Sequence, residues 1–428
     1  MSRHQYKPQP HEVFTPGGLP LGEHNVYSPR SVPESALDRY RKRGQIPVIF
    51  GDFGVGKTSL VRKYFETDDL EGRLVYFPSA SGLSVSAIFE RVLEVLEYEV
   101  QTETVDTKGK SAEGGLDKVL RAVASKTSGR STKKTLVVSA PTDVGMLGVI
   151  DEARLTIVVD EMHRATKEFR AGLAGLIKAV KTSGKSYPVI VIVGTTVDAE
   201  HLVVQDPGID RYIKEVTVPL MRPEESRYIV TEGFRRLELG ITDELVARIV
   251  EAAVGAPTIV HALCLDAAET ALEAARSHVT EDDCRKAVHA YLQDHGRRLA
   301  SAYLKAIETI GPKKYRKQIL HAVANTDNDY ATMEDVRSRV SLALAEETPS
   351  TALSGPLRDL KTAPYGSVLQ DVERVVGGNR VHNLTAFTDP MMKSFIRFMG
   401  HLDQTELMPS SNELEKIKVS GGLSTDLS

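Results

Sequence analysis

Apolar residues fall in short runs separated by polar or amphipathic stretches, and from about residue 37 to 221 the pattern predicts alternating strands and helices. Ile46-Pro47-Val48-Ile49-Phe50 reads as a buried strand, and Ser59-Leu60-Val61-Arg62-Lys63-Tyr64-Phe65 as the helix after it. Leu74 to Phe77, Leu155 to Val159, Val189 to Val193 and Glu215 to Leu220 read as further strands. Val85 to Leu96 is amphipathic, with Ser84 placed to cap it. Such alternation suits a parallel sheet covered by helices. Residues 100 to 134 break the pattern with Thr, Lys, Gly and Ser and are expected to be a polar insertion, a hairpin closed by Thr135-Leu136-Val137-Val138.

Either side of this region the pattern changes. Residues 1 to about 36 carry Pro, Gly and His without periodicity and are expected to form an extended arm. Residues 222 to 294 predict four helices, opened in turn by Pro223-Glu224-Glu225, Thr242-Asp243-Glu244, Gly255-Ala256-Pro257 and Thr280-Glu281-Asp282-Asp283. From 295 to 400 the order is helix from Tyr315, helix from Thr332 with Asp335 completing a capping box, short helix over Ser354 to Lys361 with Pro356 in its first turn, then a β-hairpin. The hairpin runs Val368 to Val376, turns at Gly377-Gly378-Asn379 and returns over Arg380 to Phe387. Residues 401 to 428 are polar and are expected to be a flexible tail.

Composition narrows the function classes. At 428 residues the chain is long enough for two to three domains. A net charge of −4 excludes a polycation that coats nucleic acid. The two cysteines, Cys264 and Cys284, sit in helical patterns and suggest a reducing compartment rather than a disulfide or zinc site. Met1-Ser2-Arg3-His4-Gln5-Tyr6-Lys7 lacks the apolar core of a signal peptide, and no run is long enough to span a bilayer, so a cytoplasmic protein without membrane contact is expected.

The chemistry begins at Gly51-Asp52-Phe53-Gly54-Val55-Gly56-Lys57-Thr58, which fits the phosphate-loop pattern G-x-x-x-x-G-K-[ST] without a mismatch, between a strand and a helix. Glycines free the backbone so that N–H groups from Gly51 to Ser59 can surround a polyphosphate at a helix N-terminus. Lys57 would hold the outer phosphates and Thr58 would ligate Mg²⁺. The strand Leu155 to Val159 ends in Asp160-Glu161. In such architectures the first acid reaches the metal through water and the second, Glu161, activates the attacking water, which points to ATP hydrolysis rather than nucleotide holding. His163 and Arg164 are either coupling residues or solvated residues at a helix start.

Over residues 26 to 294 the chain resembles the AAA+ ATPases, with a nucleotide core followed by a small helical lid. The resemblance places Thr195, or its neighbour Thr196, in the sensor position that contacts attacking water, and Arg211 where the family keeps an arginine finger. That finger reaches the nucleotide of a neighbouring subunit, so a homo-oligomer is implied. Val26 and Tyr27, before the first helix, fall where relatives contact adenine. One departure stands out: Gly255-Ala256-Pro257 is followed by Thr258 where many AAA+ proteins carry arginine. A Gly-x-Pro without arginine is similar to the STAND branch of signalling ATPases. His261, one turn on, is expected on the helix surface, with phosphate contact as the alternative.

Three helices and a hairpin follow the order of a winged helix, and core, lid and winged helix together resemble the origin-recognition initiators. Between Arg297 and Arg397 there are 15 Lys and Arg against 11 Asp and Glu. Double-stranded DNA is therefore a candidate partner, through Lys313, Lys314, Arg316, Lys317, Arg358, Lys361, Arg374 and Arg380. Asp359, Asp371 and Glu373 oppose it, and a protein partner is the alternative. Two functions stay open: an ATP-hydrolysing AAA+ protein whose nucleotide state controls assembly and DNA engagement, and a STAND-like switch that binds protein partners and turns ATP over rarely. The Asn-Lys-x-Asp guanine motif of a GTPase is not found.

Overall fold

The computed structural model describes residues 6–18, 22–52, 54–66, 74–79, 84–96, 98–104, 118–124, 134–138, 144–194, 206–295, 297–308, 315–326, 328, 330–376, 379–389 and 391–402. The chain divides into two compact units. One comprises Ser31–Gly51 and Leu60–Thr217, the other Met1–Arg30, Asp52–Ser59 and Val218–Ser428.

The first unit is built on a five-stranded sheet. Its strands are β1 (Ile46–Phe50), β2 (Leu74–Pro78), β6 (Thr156–Asp160), β7 (Val189–Val193) and β8 (Ile213–Thr217), in the order β2-β6-β7-β1-β8. Every neighbouring pair is parallel, with Val48 beside Ile192, Ile49 beside Val216 and Pro78 beside Asp160. All five strands therefore end on one edge. Helices α2 (Ser31–Lys42), α4 (Val85–Val95), α5 (Val144–Ala153) and α6 (Lys167–Thr182) accompany the sheet. Ser84 and Thr166 cap α4 and α6, accepting from the amides of Ala87 and Phe169. Phe89 and Leu93 of α4, Phe169 and Leu176 of α6, and Ile157 and Ile192 of the sheet close one core. This is the sheet that the alternating pattern predicts, with one shift: the last strand is Ile213–Thr217, not Glu215 to Leu220. Ile213 and Lys214 pair with Ile46 and Pro47, while Pro219 has no N–H to give a ladder.

Residues 98–138 add a second, antiparallel sheet of β3 (Tyr98–Thr104), β4 (Lys118–Ala124) and β5 (Lys134–Val138), in that order. The polar stretch thus holds a three-stranded sheet where one closing hairpin is expected.

The second unit is mainly helical. Its lid helices are α7 (Pro223–Arg236), α8 (Asp243–Ala252), α9 (Pro257–Glu273) and α10 (Glu281–Ala290). Proline opens α7 and α9, where its missing N–H costs nothing. Thr280 caps α10 in a reciprocal box with Asp283, whose buried carboxylate Arg276 grips at 2.5 and 2.7 Å. Those two bonds, with the capping bonds of Thr280, hold the Asp283 carboxyl at about 2. Cys264 and Cys284 are buried in this core. So are Val13, Phe14 and Val26 of the N-terminal segment, which is therefore not the extended arm expected: it forms a one-turn helix, α1 (Pro10–Val13), closes on itself through a Val26 N–H bond to the Val13 carbonyl, and packs its apolar side chains into the lid core.

The C-terminal part of this unit contains α11 (Arg297–Ile307), α12 (Arg316–Ala324), α13 (Met333–Leu344), α14 (Ser350–Asp359), the hairpin β9 (Leu369–Val376) and β10 (Asn379–Phe387), and α15 (Met391–Leu402). Ala331 and Thr385 exchange backbone bonds of 2.7 and 2.9 Å, an isolated bridge that ties the start of α13 to the hairpin of this winged helix. Thr332 and Asp335 form the expected capping box. Helix α14 starts earlier than its sequence suggests: Pro349 precedes its first turn, and Pro356 lies inside it rather than at its start. Gly377, Gly378 and the tail beyond 402 lie outside the described residues.

Candidate nucleotide site

Strand β1 ends at Phe50 and the chain passes through Gly51 into the phosphate loop. Helix α3 (Lys57–Glu66) opens at the lysine. Gly54 and Gly56 have φ of +78° and +88°, conformations that side-chain-bearing residues avoid. A Cβ at Gly54 would also lie 3.3 Å from the Thr258 hydroxyl. A bare loop leading into a helix N-terminus fits an anion cradle. Lys57 folds across the loop and donates from Nζ to the Asp52 carbonyl at 3.0 Å. Phe53 lies outside the described residues.

A pocket lies beside the loop, lined by Val55, Gly56 and Ser59, by Val26 and Tyr27, and by Pro257 and His261 of α9. The structure thus brings the expected adenine-contact residues and the phosphate loop together. Arg30, buried nearby, donates to the carbonyls of Val55 at 3.2 Å and Pro219 at 2.6 Å and lies 3.4 Å from Glu225. It ties loop, strand exit and lid helix to one guanidinium, a role its sequence position does not signal.

His261 is not the surface residue its helix position suggests. Phe14 and Thr15 cover it, and its Nδ1 accepts the Thr15 amide at 3.2 Å. Burial disfavours its charged form and pushes its pKa down to about 4. Thr258 stands where the lid arginine is absent, and its hydroxyl donates to the Gly54 carbonyl at 3.1 Å.

The acidic pair belongs to the sheet. Asp160 is buried at the end of β6, and its carboxylate accepts the Glu161 amide at 2.6 Å. Glu161 has φ 56° and ψ 36°, a left-handed conformation at a residue with a full side chain. Strain of this kind costs on the order of 1 kcal/mol or more and persists where the surroundings over-determine it. Because all strands are parallel, Asp160-Glu161 and the end of β1 lie on the same edge, where ligands of such sheets bind. Thr58 and Asp160 offer hard oxygen donors of the kind Mg²⁺ prefers. Thr195 and Thr196 lie outside the described residues. Arg211 is exposed in a 3-10 turn (Pro207–Tyr212), its guanidinium 4.6 Å above the Tyr212 ring. Arg164 is exposed in the turn Met162–Arg164.

The expected DNA-facing cations separate. Arg316 is 2% exposed, donates to the carbonyls of Ala306 and Glu308 and lies 4.3 Å over Tyr365, so it holds the domain together and faces no solvent. Lys361 pairs with Asp371 of the hairpin at 2.5 Å. Arg358 is exposed and Lys317 half-buried. Lys313 and Lys314, and the side chains of Arg374 and Arg380, lie outside the described residues.

A parallel sheet with a phosphate loop after one strand and an acid pair after another defines a P-loop nucleotide-binding core. Residues 40–203 match the family model described as an AAA domain. No curated protein matches the chain. Among solved structures the chain is similar to Cdc6p from Pyrobaculum aerophilum, at 14% identity and a TM-score of 0.43 over 90% of this chain and 97% of that one. It is also similar to the ORC2 protein of Aeropyrum pernix in ADPNP-ADP complexes, at 14% and 0.46 over 92% and 97%. For the ORC1 protein of Aeropyrum pernix in complex with DNA the values are 13% and 0.44 over 93% and 100%. Among the described residues no helix is long and apolar enough to cross a membrane.

Proposed function

We propose that the chain binds and hydrolyses ATP and that its nucleotide state controls self-assembly and engagement of double-stranded DNA. The observation that carries this is that the end of β1, from which the phosphate loop follows in sequence, lies on the same sheet edge as Asp160-Glu161. Lys57 and the loop amides hold the phosphates. Thr58 and Asp160 would hold Mg²⁺, which would neutralise charge on the outer phosphates. Glu161 takes the proton of the attacking water, Thr195 orients that water, and Arg211 completes the site of a neighbouring subunit. The winged helix and its surplus of cations supply the DNA-binding part of the reading.

The second reading, a switch that holds ADP and answers to a protein partner, draws on Thr258 in place of a lid arginine. One experiment separates them: the ATPase rate across protein concentrations, with and without double-stranded DNA, at fixed salt. A rate per subunit that rises with both supports DNA-directed assembly. A slow rate, flat in both, with ADP copurifying, supports the switch.

A further inference from the structure

We infer that Lys393 and Arg397 of α15 set the charge of the phosphate loop through Asp52, so that docking of the C-terminal helix and nucleotide binding favour one another; this rests on the nucleotide-binding reading above. Lys393 Nζ lies 3.1 Å from Asp52 Oδ1 and donates to the Asn328 carbonyl at 2.8 Å. Arg397 reaches Asp52 Oδ2 at 3.3 Å and the Thr326 carbonyl at 3.1 Å. The Lys393 and Arg397 side chains are only 6% and 12% exposed. Met391 of the same helix lies 4.0 Å from where a Gly54 Cβ would be. The carboxylate between them is the second residue of the phosphate loop.

An acid in that loop works against the loop's purpose. An isolated Asp52 carboxylate would repel the polyphosphate. Among the described residues, two cations meet this one acid and offset its charge. Both come from α15, 341 and 345 residues away in sequence. With α15 undocked, the Asp52 carboxylate would face the phosphates without these two cations and would offset part of the charge that Lys57 supplies. By reciprocity, bound nucleotide must hold α15 in place as strongly as α15 favours nucleotide. A ligand of the winged helix that pulls α15 away would loosen the nucleotide without touching its pocket.

The test is titration of fluorescent ADP into the full chain, the double variant K393M/R397M, and that double variant carrying D52N. Thermal unfolding of each, and the conservative K393R/R397K pair, report on folding. Hydrogen exchange across 391–402 with and without ADP reads the reciprocal arm. The double variant should lose on the order of tenfold in ADP affinity, and adding D52N should recover most of it. ADP should slow exchange in 391–402 of the wild type and not of the double variant. Double-variant affinity within about twofold of wild type overturns the inference while leaving nucleotide binding intact. Failure of D52N to recover affinity overturns it too, since the loss is then structural. No ADP binding by the wild type overturns both readings together.

Discussion

The Thr258 hydroxyl donates to the Gly54 carbonyl at 3.1 Å, so the lid is bonded to the backbone of the phosphate loop itself. An arginine here would reach past the loop toward a phosphate; a threonine stops at the peptide. T258V keeps the shape and removes the donor. It should cost about 1 kcal/mol of stability and weaken ADP binding a few-fold. Thermal unfolding and an ADP titration measure both, and no change in either would remove Thr258 from the site.

Glu161 combines a proposed catalytic role with a strained backbone. E161Q should leave ATP bound and slow hydrolysis by about 10²-fold or more. E161G should also stop turnover, yet should unfold at the same temperature as wild type or higher, because glycine relieves about 1 kcal/mol of left-handed strain. Steady-state turnover beside a melting curve checks the pair. Wild-type turnover in E161Q would end the assignment.

The sheet and its loop were legible because each is written locally. Strand β1, Gly54, Gly56 and Lys57 lie within a dozen residues, and phosphate geometry dictates which residue types stand there. The Val158-Val159-Asp160 sequence likewise announces a buried strand that ends in an acid. What stayed hidden depends on contacts across the chain. His261 reads as a surface residue until Phe14 and Thr15 cover it. Arg316 reads as a DNA-facing cation until the carbonyls of Ala306 and Glu308 claim it. The Asp52 pairing with Lys393 spans most of the sequence. Strands β3 and β4 carry too little apolar periodicity to separate from a polar loop.

Arg211 is exposed, as a residue that serves another subunit must be. R211A should cut turnover by about 10³-fold without weakening ATP binding. Mixing R211A with E161Q gives a sharper measurement, since each variant lacks what the other keeps. Activity should reappear in the mixture if the arginine works across an interface. If the mixture stays inactive, or if R211A loses ATP affinity, Arg211 acts within its own subunit.

His261 predicts how stability responds to acid. Burial alone depresses its pKa, from an ordinary 6.5 to about 4. The unfolded chain therefore takes up a proton near pH 6.5 that the folded chain refuses until about pH 4. Above pH 6.5 both states are neutral at this residue and its contribution is complete. As pH falls from 6.5 toward 4 the unfolded state gains protons first, so stability falls by about 3 kcal/mol across that window. H261Q keeps an acceptor for the Thr15 amide and removes the titration. Urea unfolding at pH 7.5 and pH 5 should show a loss on acidification that is about 2 kcal/mol smaller in H261Q than in wild type. Equal losses in the two proteins would mean that His261 is not buried neutral beneath Phe14.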